Sequence, residues 1–143
     1  MSKATHIEQL QKTARTAVEA GELERACAAY RELADATNSP EAWEGLGLAA
    51  WWLQDTPTML DARLKAYRLY RETGAVVAAA RMAIALGNDF LDFRGDAAVA
   101  NGWFKRARRL LEPLPPSAGH TRLLVWEARL AQSARWQRGV ARA

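Results

Sequence analysis

With one cysteine and two histidines among 143 residues, this chain is poor in the side chains that most often carry catalysis or hold metals. Cys27 alone makes no intramolecular disulfide, which fits a reducing compartment. His6 and His120 sit near opposite ends of the chain, with no second ligand at metal spacing beside either. Gly-Lys-Ser and Gly-Lys-Thr do not occur, so the phosphate-cradling glycine loop is missing. No apolar run approaches the roughly 18 residues of a membrane span. The N-terminus Met1-Ser2-Lys3-Ala4-Thr5-His6 lacks the apolar core of a signal peptide. Alternating apolar runs, the mark of strands, are also missing. The expectation is an all-α, cytoplasmic chain with no cofactor and no enzymatic activity.

What is present is apolar and charged in ordinary globular proportion: 50% hydrophobic and 25% charged residues, enough for one buried core and too apolar for disorder. A single domain over 1–143 is expected. The formal charge of +4 conceals an asymmetry. Residues 1–72 carry 9 basic and 11 acidic side chains, whereas 73–143 carry 11 and 5. Most of that basic excess is arginine on amphipathic stretches, which reads as solvated helix surface. A nucleic-acid-associated role for the basic C-terminal half is the alternative.

Apolar residues recur three and four apart along nearly the whole chain. Thr5 with Glu8 reads as a capping box opening a first helix, with the stripe Ile7, Leu10, Ala14, Ala17 and Val18 ending at Gly21. Leu23, Ala26, Cys27, Tyr30 and Leu33 form the returning helix. Ser39-Pro40-Glu41 is a cap-plus-proline start for the third, through Trp43, Leu46, Gly47, Ala50 and Leu53. Thr56-Pro57 repeats that device for the fourth, which ends at Gly74. A fifth spans about 75–93, and Asp96 caps a sixth carrying Val99, Ala100, Trp103, Phe104, Ala107 and Leu111. The turns Ala20-Gly21-Glu22, Asp55-Thr56-Pro57 and Arg94-Gly95-Asp96 fall about 34 and 40 residues apart, the period of a helical-hairpin solenoid. Hairpins are thus expected over about 5–37, 39–73 and 75–112. Pro113, Pro115 and Pro116 mark a linker at 113–116. A seventh helix at 117–138 has no partner, and Gly139 reads as a turn opening an eighth that is cut off. Leu123, Leu124, Val125, Trp126, Leu130 and Trp136 surround too much of that seventh helix for one contact to cover. Self-association through 117–143, or docking of a downstream segment there, is the expectation.

These repeats resemble tetratricopeptide repeats. Trp43, Leu46, Gly47 and Ala50 match the bulky residue, Leu-Gly pair and small residue of the family's first helix. Ala100, Phe104 and Ala107, and likewise Ala26 and Tyr30, match its second helix; Leu33 departs from the small residue expected there. Over about residues 20–112, three strings are similar to the repeat region of bacterial LuxR-type transcriptional regulators. They are Glu44-Gly-Leu-Gly-Leu-Ala-Ala-Trp-Trp-Leu53, Ala66-Tyr-Arg-Leu-Tyr-Arg71 and Phe93-Arg-Gly-Asp-Ala-Ala-Val-Ala-Asn-Gly-Trp-Phe-Lys-Arg-Ala-Arg-Arg-Leu-Leu-Glu112. In that family such arrays act as sensor or scaffold, joined to a C-terminal helix-turn-helix that this chain does not reach.

The resemblance implies a concave groove lined by the first helix of each pair. Registered on the turns, the first pair contributes Glu8, Gln11, Arg15 and Glu19. The second contributes Glu41, Glu44, Leu48, Trp51 and Trp52, and the third Met82, Ala85, Asp89, Asp92 and Phe93. Carboxylates with aromatics suit a protein or peptide partner that is basic and partly apolar. At least one of Trp51 and Trp52 is expected in the core. Three motifs compete for attention. Asn88-Asp89-x-x-Asp92 puts two carboxylates on one helical face, as a metal-dependent enzyme would need, but has no partner motif. Arg94-Gly95-Asp96 is a hairpin turn with its cap. Lys105-Arg106-x-Arg108-Arg109 reads as the solvated basic back of an amphipathic helix, with phosphate contact as the alternative.

Overall fold

A computed structural model describes residues 2–142. Seven α-helices account for most of them: α1 (Lys3–Glu19), α2 (Leu23–Thr37), α3 (Pro40–Trp52), α4 (Thr56–Glu72), α5 (Val76–Arg94), α6 (Ala97–Leu111) and α7 (Ala118–Arg142). No strand occurs among the described residues. None of the helices among them is long and apolar enough to cross a membrane. The chain divides into two compact units, Met1–Leu69 and Tyr70–Ala143, the boundary falling in the last turn of α4.

In the first unit, α1 and α3 each pack on α2. The contact is made by small side chains: Ala17, Ala26 and Ala49 are buried together, with Cys27 and Tyr30 beside them. Alanines at these points let helix backbones approach closely while longer residues fill the flanks. Leu46 and Trp43 are buried on α3, each such side chain contributing about 1.5–3 kcal/mol by leaving water. Trp43 donates its indole Nε1–H to Asn38 Oδ1 at 2.9 Å, and Lys65 Nζ lies 4.4 Å from its ring centroid. Asn38 itself is left-handed (φ 48°) and ends α2. Two glycines on α3 are required by what faces them. A Cβ on Gly45 would lie 2.4 Å from the Tyr30 ring, and one on Gly47 would lie 2.8 Å from Arg63 Cγ on α4.

Three chain reversals share one backbone pattern. Gly21, Gln54 and Gly74 are all left-handed, with φ of 74°, 57° and 76°. Each donates its N–H three residues back, and the next residue donates five back: Gly21 to Val18 and Glu22 to Ala17, Gln54 to Trp51 and Asp55 to Ala50, Gly74 to Arg71 and Ala75 to Tyr70. This is the Schellman closure, which satisfies carbonyls left over at a helix C-terminus.

The starts of α1, α3, α4 and α6 are set by short polar side chains. Ser39 Oγ accepts from Ala42 N–H, and Asp96 Oδ1 from Val99 N–H, as the sequence predicts. Two caps differ from expectation. Ser2, not Thr5, caps α1, accepting the Thr5 N–H at 3.1 Å. Asp55, not Thr56, serves α4, accepting the Thr58 N–H at 3.3 Å. In both places the residue read as a cap is already inside the helix.

In the second unit, α5 buries Ala79, Ala80, Met82, Ala83, Ile84, Leu86, Gly87 and Asp89, apolar on more than one face as befits a helix packed on several sides. Helix α6 is one-sided, burying Ala100, Trp103, Phe104, Ala107 and Leu111 at helical spacing. The seventh helix is not alone. It packs against α6 and α5, burying Leu123, with ion pairs from Glu127 to Arg108 and from Arg129 to Asp92. It also runs unbroken through Gly139 to Arg142, so neither a turn nor an eighth helix forms there. An exposed glycine costs a helix only about 1 kcal/mol, too little to end it.

Candidate functional site

Walls from α1 and α3 and a floor from α2 form a groove in the first unit. Its apolar end, about 420 Å³, is lined by Val18 and Gly21, Leu23 and Tyr30, and Gly45, Leu48, Ala49 and Trp52. An adjoining polar end of about 330 Å³ is lined by Gln11, Arg15, Tyr30, Leu33, Ser39, Glu41 and Ala42. Tyr30 belongs to both, so its half-buried ring is the hinge between them. Helix geometry explains the lining. Gln11, Arg15 and Val18 stand four and three apart on α1, and Glu41, Gly45, Leu48 and Trp52 repeat four, three and four apart on α3, so each set is one stripe. Gly45, lacking a side chain, lets the Tyr30 ring pack directly against the α3 backbone between those stripes.

The apolar end is open to water. Trp52 is 60% exposed, Leu48 47% and Val18 40%. Exposed apolar side chains gathered in one concavity are the physical signature of a recognition surface. Trp51 is half-buried and meets Trp52 edge to face, with ring centroids 4.7 Å apart and planes at 82°. That geometry holds the Trp52 indole in place. Cys27 lies behind the groove against the Ala17–Ala26–Ala49 cluster. Burial pushes its thiol up from the ordinary range; the Asp55 carboxylate adds to this and Arg31 opposes it. The thiolate needed for nucleophilic chemistry is therefore disfavoured at neutral pH.

The expected groove residues separate in the structure. Glu41, Leu48 and Trp52 come together in the first unit, while Glu44 is half-buried. In the second unit Met82 and Asp89 lie in the interior, with Asp89 fully shielded, so neither offers a surface for a ligand. Phe93 is exposed near the end of α5. Asp92 is engaged: Arg129 forks onto it, Nη2 to Oδ1 at 2.8 Å and Nη1 to Oδ2 at 3.2 Å, and Nη1 also reaches Asn88 Oδ1 at 3.4 Å. The Asn88-Asp89-x-x-Asp92 motif thus anchors α7 through its first and last residues. No group of three or more His, Cys, Asp or Glu able to hold a metal is present among the described residues.

Val18 and Tyr30 are groove residues that periodicity assigns to the core, because their spacing on α1 and α2 matches that of buried neighbours. The signal that could have found them is Gly45, which stands a half-turn from Gly47 and opposite an aromatic. His120 also has a role beyond the surface placement its isolation suggests. Its Nε2–H donates to the Leu111 carbonyl at 2.9 Å, and its Nδ1 lies 2.9 Å from Ser117 Oγ. The ring therefore clips the end of α6 to the start of α7 across the proline linker. Of the basic run on α6, Arg106 stacks on Trp103 at 4.4 Å and Arg108 pairs with Glu127. Lys105 and Arg109 are exposed. Compared with known proteins, the chain matches no family model and no curated sequence.

Proposed function

We propose that this chain is a non-enzymatic, tetratricopeptide-like helical-repeat module that binds a protein or peptide segment in the groove of its first unit, as the sensor or scaffold part of a bacterial transcriptional regulator working in the cytoplasm. The observation that carries the reading is the exposure of Trp52, Leu48 and Val18 in one concavity over Tyr30. An apolar depression bordered by Glu41 at its polar end and by Glu22 and Glu24 near Gly21 suits a segment presenting an aliphatic or aromatic side chain flanked by lysine or arginine.

Titration with basic, partly apolar peptides tests this through tryptophan fluorescence. Binding should saturate and should weaken at least about tenfold in Trp52→Ala and Leu48→Glu, as expected for truncating a buried anchor. Acidic and neutral peptides binding equally well would remove the charge argument, and unchanged affinity in both variants would remove the groove. Duplex DNA is the contrasting ligand. Binding that collapses between low and moderate salt, and that needs Lys105 and Arg109, would favour the nucleic-acid reading.

A further inference from the structure

We infer that the groove of one copy receives the distal half of α7 from a second copy, so that the chain assembles head to tail. This rests on the groove being a binding site, and it names the occupant. Every residue from Arg135 to Arg142 is exposed, with Trp136 at 71% and Val140 at 55%. Trp136 and Val140 are four apart, so they share one face of the helix and form an apolar pair with nothing beneath it. Arg135, Arg138 and Arg142 flank that pair, and residues 131–142 contain no carboxylate. An amphipathic helix of this kind gains most of its stability by docking its apolar stripe, since short helices are marginal alone in water.

The groove has the complementary chemistry. Its apolar end of about 420 Å³ offers Val18, Leu48 and Trp52 to the Trp136–Val140 pair. Glu41 at the adjoining polar end, and Glu22 and Glu24 beside Gly21 and Leu23, border it with three carboxylates against Arg15 and Arg25. The balance of the two units agrees: Met1–Leu69 has 8 basic and 10 acidic side chains, Tyr70–Ala143 has 12 and 6. Opposite signs on the two surfaces steer encounter and fix orientation. Because donor and acceptor surfaces differ, the contact is heterologous and builds closed rings, of which a reciprocal two-fold dimer is the smallest, or open chains.

Sedimentation velocity of the full chain, as wild type, Trp136→Glu and Leu48→Arg, tests the inference. The wild type should associate with rising concentration, and each variant alone should shift to monomer by at least tenfold in apparent dissociation constant. A one-to-one mixture of the two variants should form a dimer, because Leu48→Arg keeps an intact tail and Trp136→Glu an intact groove. Leu48→Arg associating like wild type would overturn the inference in favour of α7 meeting α7. A monomeric wild type, or a mixture that stays monomeric, would overturn it as well. Fluorescence titration of Trp136→Glu with a basic, apolar peptide is read beside these. Saturable binding there preserves the groove when the tail fails, and absence of binding removes both.

Discussion

A Cβ on Gly87 would lie 2.4 Å from Phe104 Cε1, so α5 and α6 meet at their observed distance only because residue 87 has no side chain. Phe104 is fully buried and its ring has nowhere to retreat. The replacement Gly87→Ala should therefore destabilise by about 1–3 kcal/mol through overpacking, more than the roughly 1 kcal/mol it gains as a better helix former. Gly102→Ala, where an added Cβ meets nothing within 4 Å, should instead raise stability by about 1 kcal/mol. Denaturant melts of the two variants check the sign of each. Gly47→Leu should cost about 1–3 kcal/mol, because its side chain must displace the buried Arg63.

Gln54 occupies the place that glycine holds in the two matching turns, at φ 57°. A non-glycine residue pays for left-handed backbone, so Gln54→Gly should stabilise the protein by about 0.5–1 kcal/mol after the added freedom of the unfolded chain is counted. Gln54→Val should lower stability by at least as much. Thermal melts of the pair would show opposite shifts; parallel shifts would mean that the turn tolerates β-branching and that its left-handed geometry is not the stabilised state.

Cys27 has its folded-state pKa raised by burial, then by Asp55. The folded protein holds this proton more tightly than the unfolded chain does, so the contribution is fully present below the thiol's unfolded pKa, about 8.5. It is lost as pH rises through the folded value. Stability of the wild type should decline more steeply above about pH 8.5 than that of Cys27→Ala, and alkylation of the native thiol should have a midpoint above that of a free cysteine. Equal alkaline slopes in the two proteins would show that Asp55 and burial do not act on this thiol.

The Arg129 fork on Asp92 is partly exposed, at 49% and 32%, and is screened accordingly. Arg129→Ala should cost about 0.2–1 kcal/mol, and less at high salt. Arg129→Lys should recover little, because an ammonium cannot span both carboxylate oxygens and also stack on Trp126, where the guanidinium sits 5.0 Å from the ring centroid. A double-mutant cycle with Asp92→Ala isolates the pair from the stacking.

Helix identity was legible because apolar spacing and the Ser39 and Asp96 caps act locally. Cap position was less so where two candidates stood close together. Ser2 and Asp55 won over Thr5 and Thr56 because each places its side-chain oxygen against an N–H of the first turn. Gly139 was misleading: a glycine ends a helix only where the backbone must turn left-handed, as at Gly21 and Gly74, and α7 has no such demand. At the candidate site, Leu48 and Trp52 were readable from their stripe on α3. Asp89 and Met82 were not, since α5 is buried on more than one face and a turn-based register carries no information on which face meets solvent. Tyr30 was hidden for another reason: the place its ring takes depends on a glycine fifteen residues away on another helix.

The three left-handed reversals have a kinetic corollary. Each is closed by backbone bonds reaching only three and five residues back. Reversing the chain therefore costs little loop-closure entropy, and neighbouring helices can meet as soon as both have formed. Local contacts of this kind place folding in the microsecond-to-millisecond range typical of helical domains. Loss of any one of the three should slow folding while leaving the others able to nucleate.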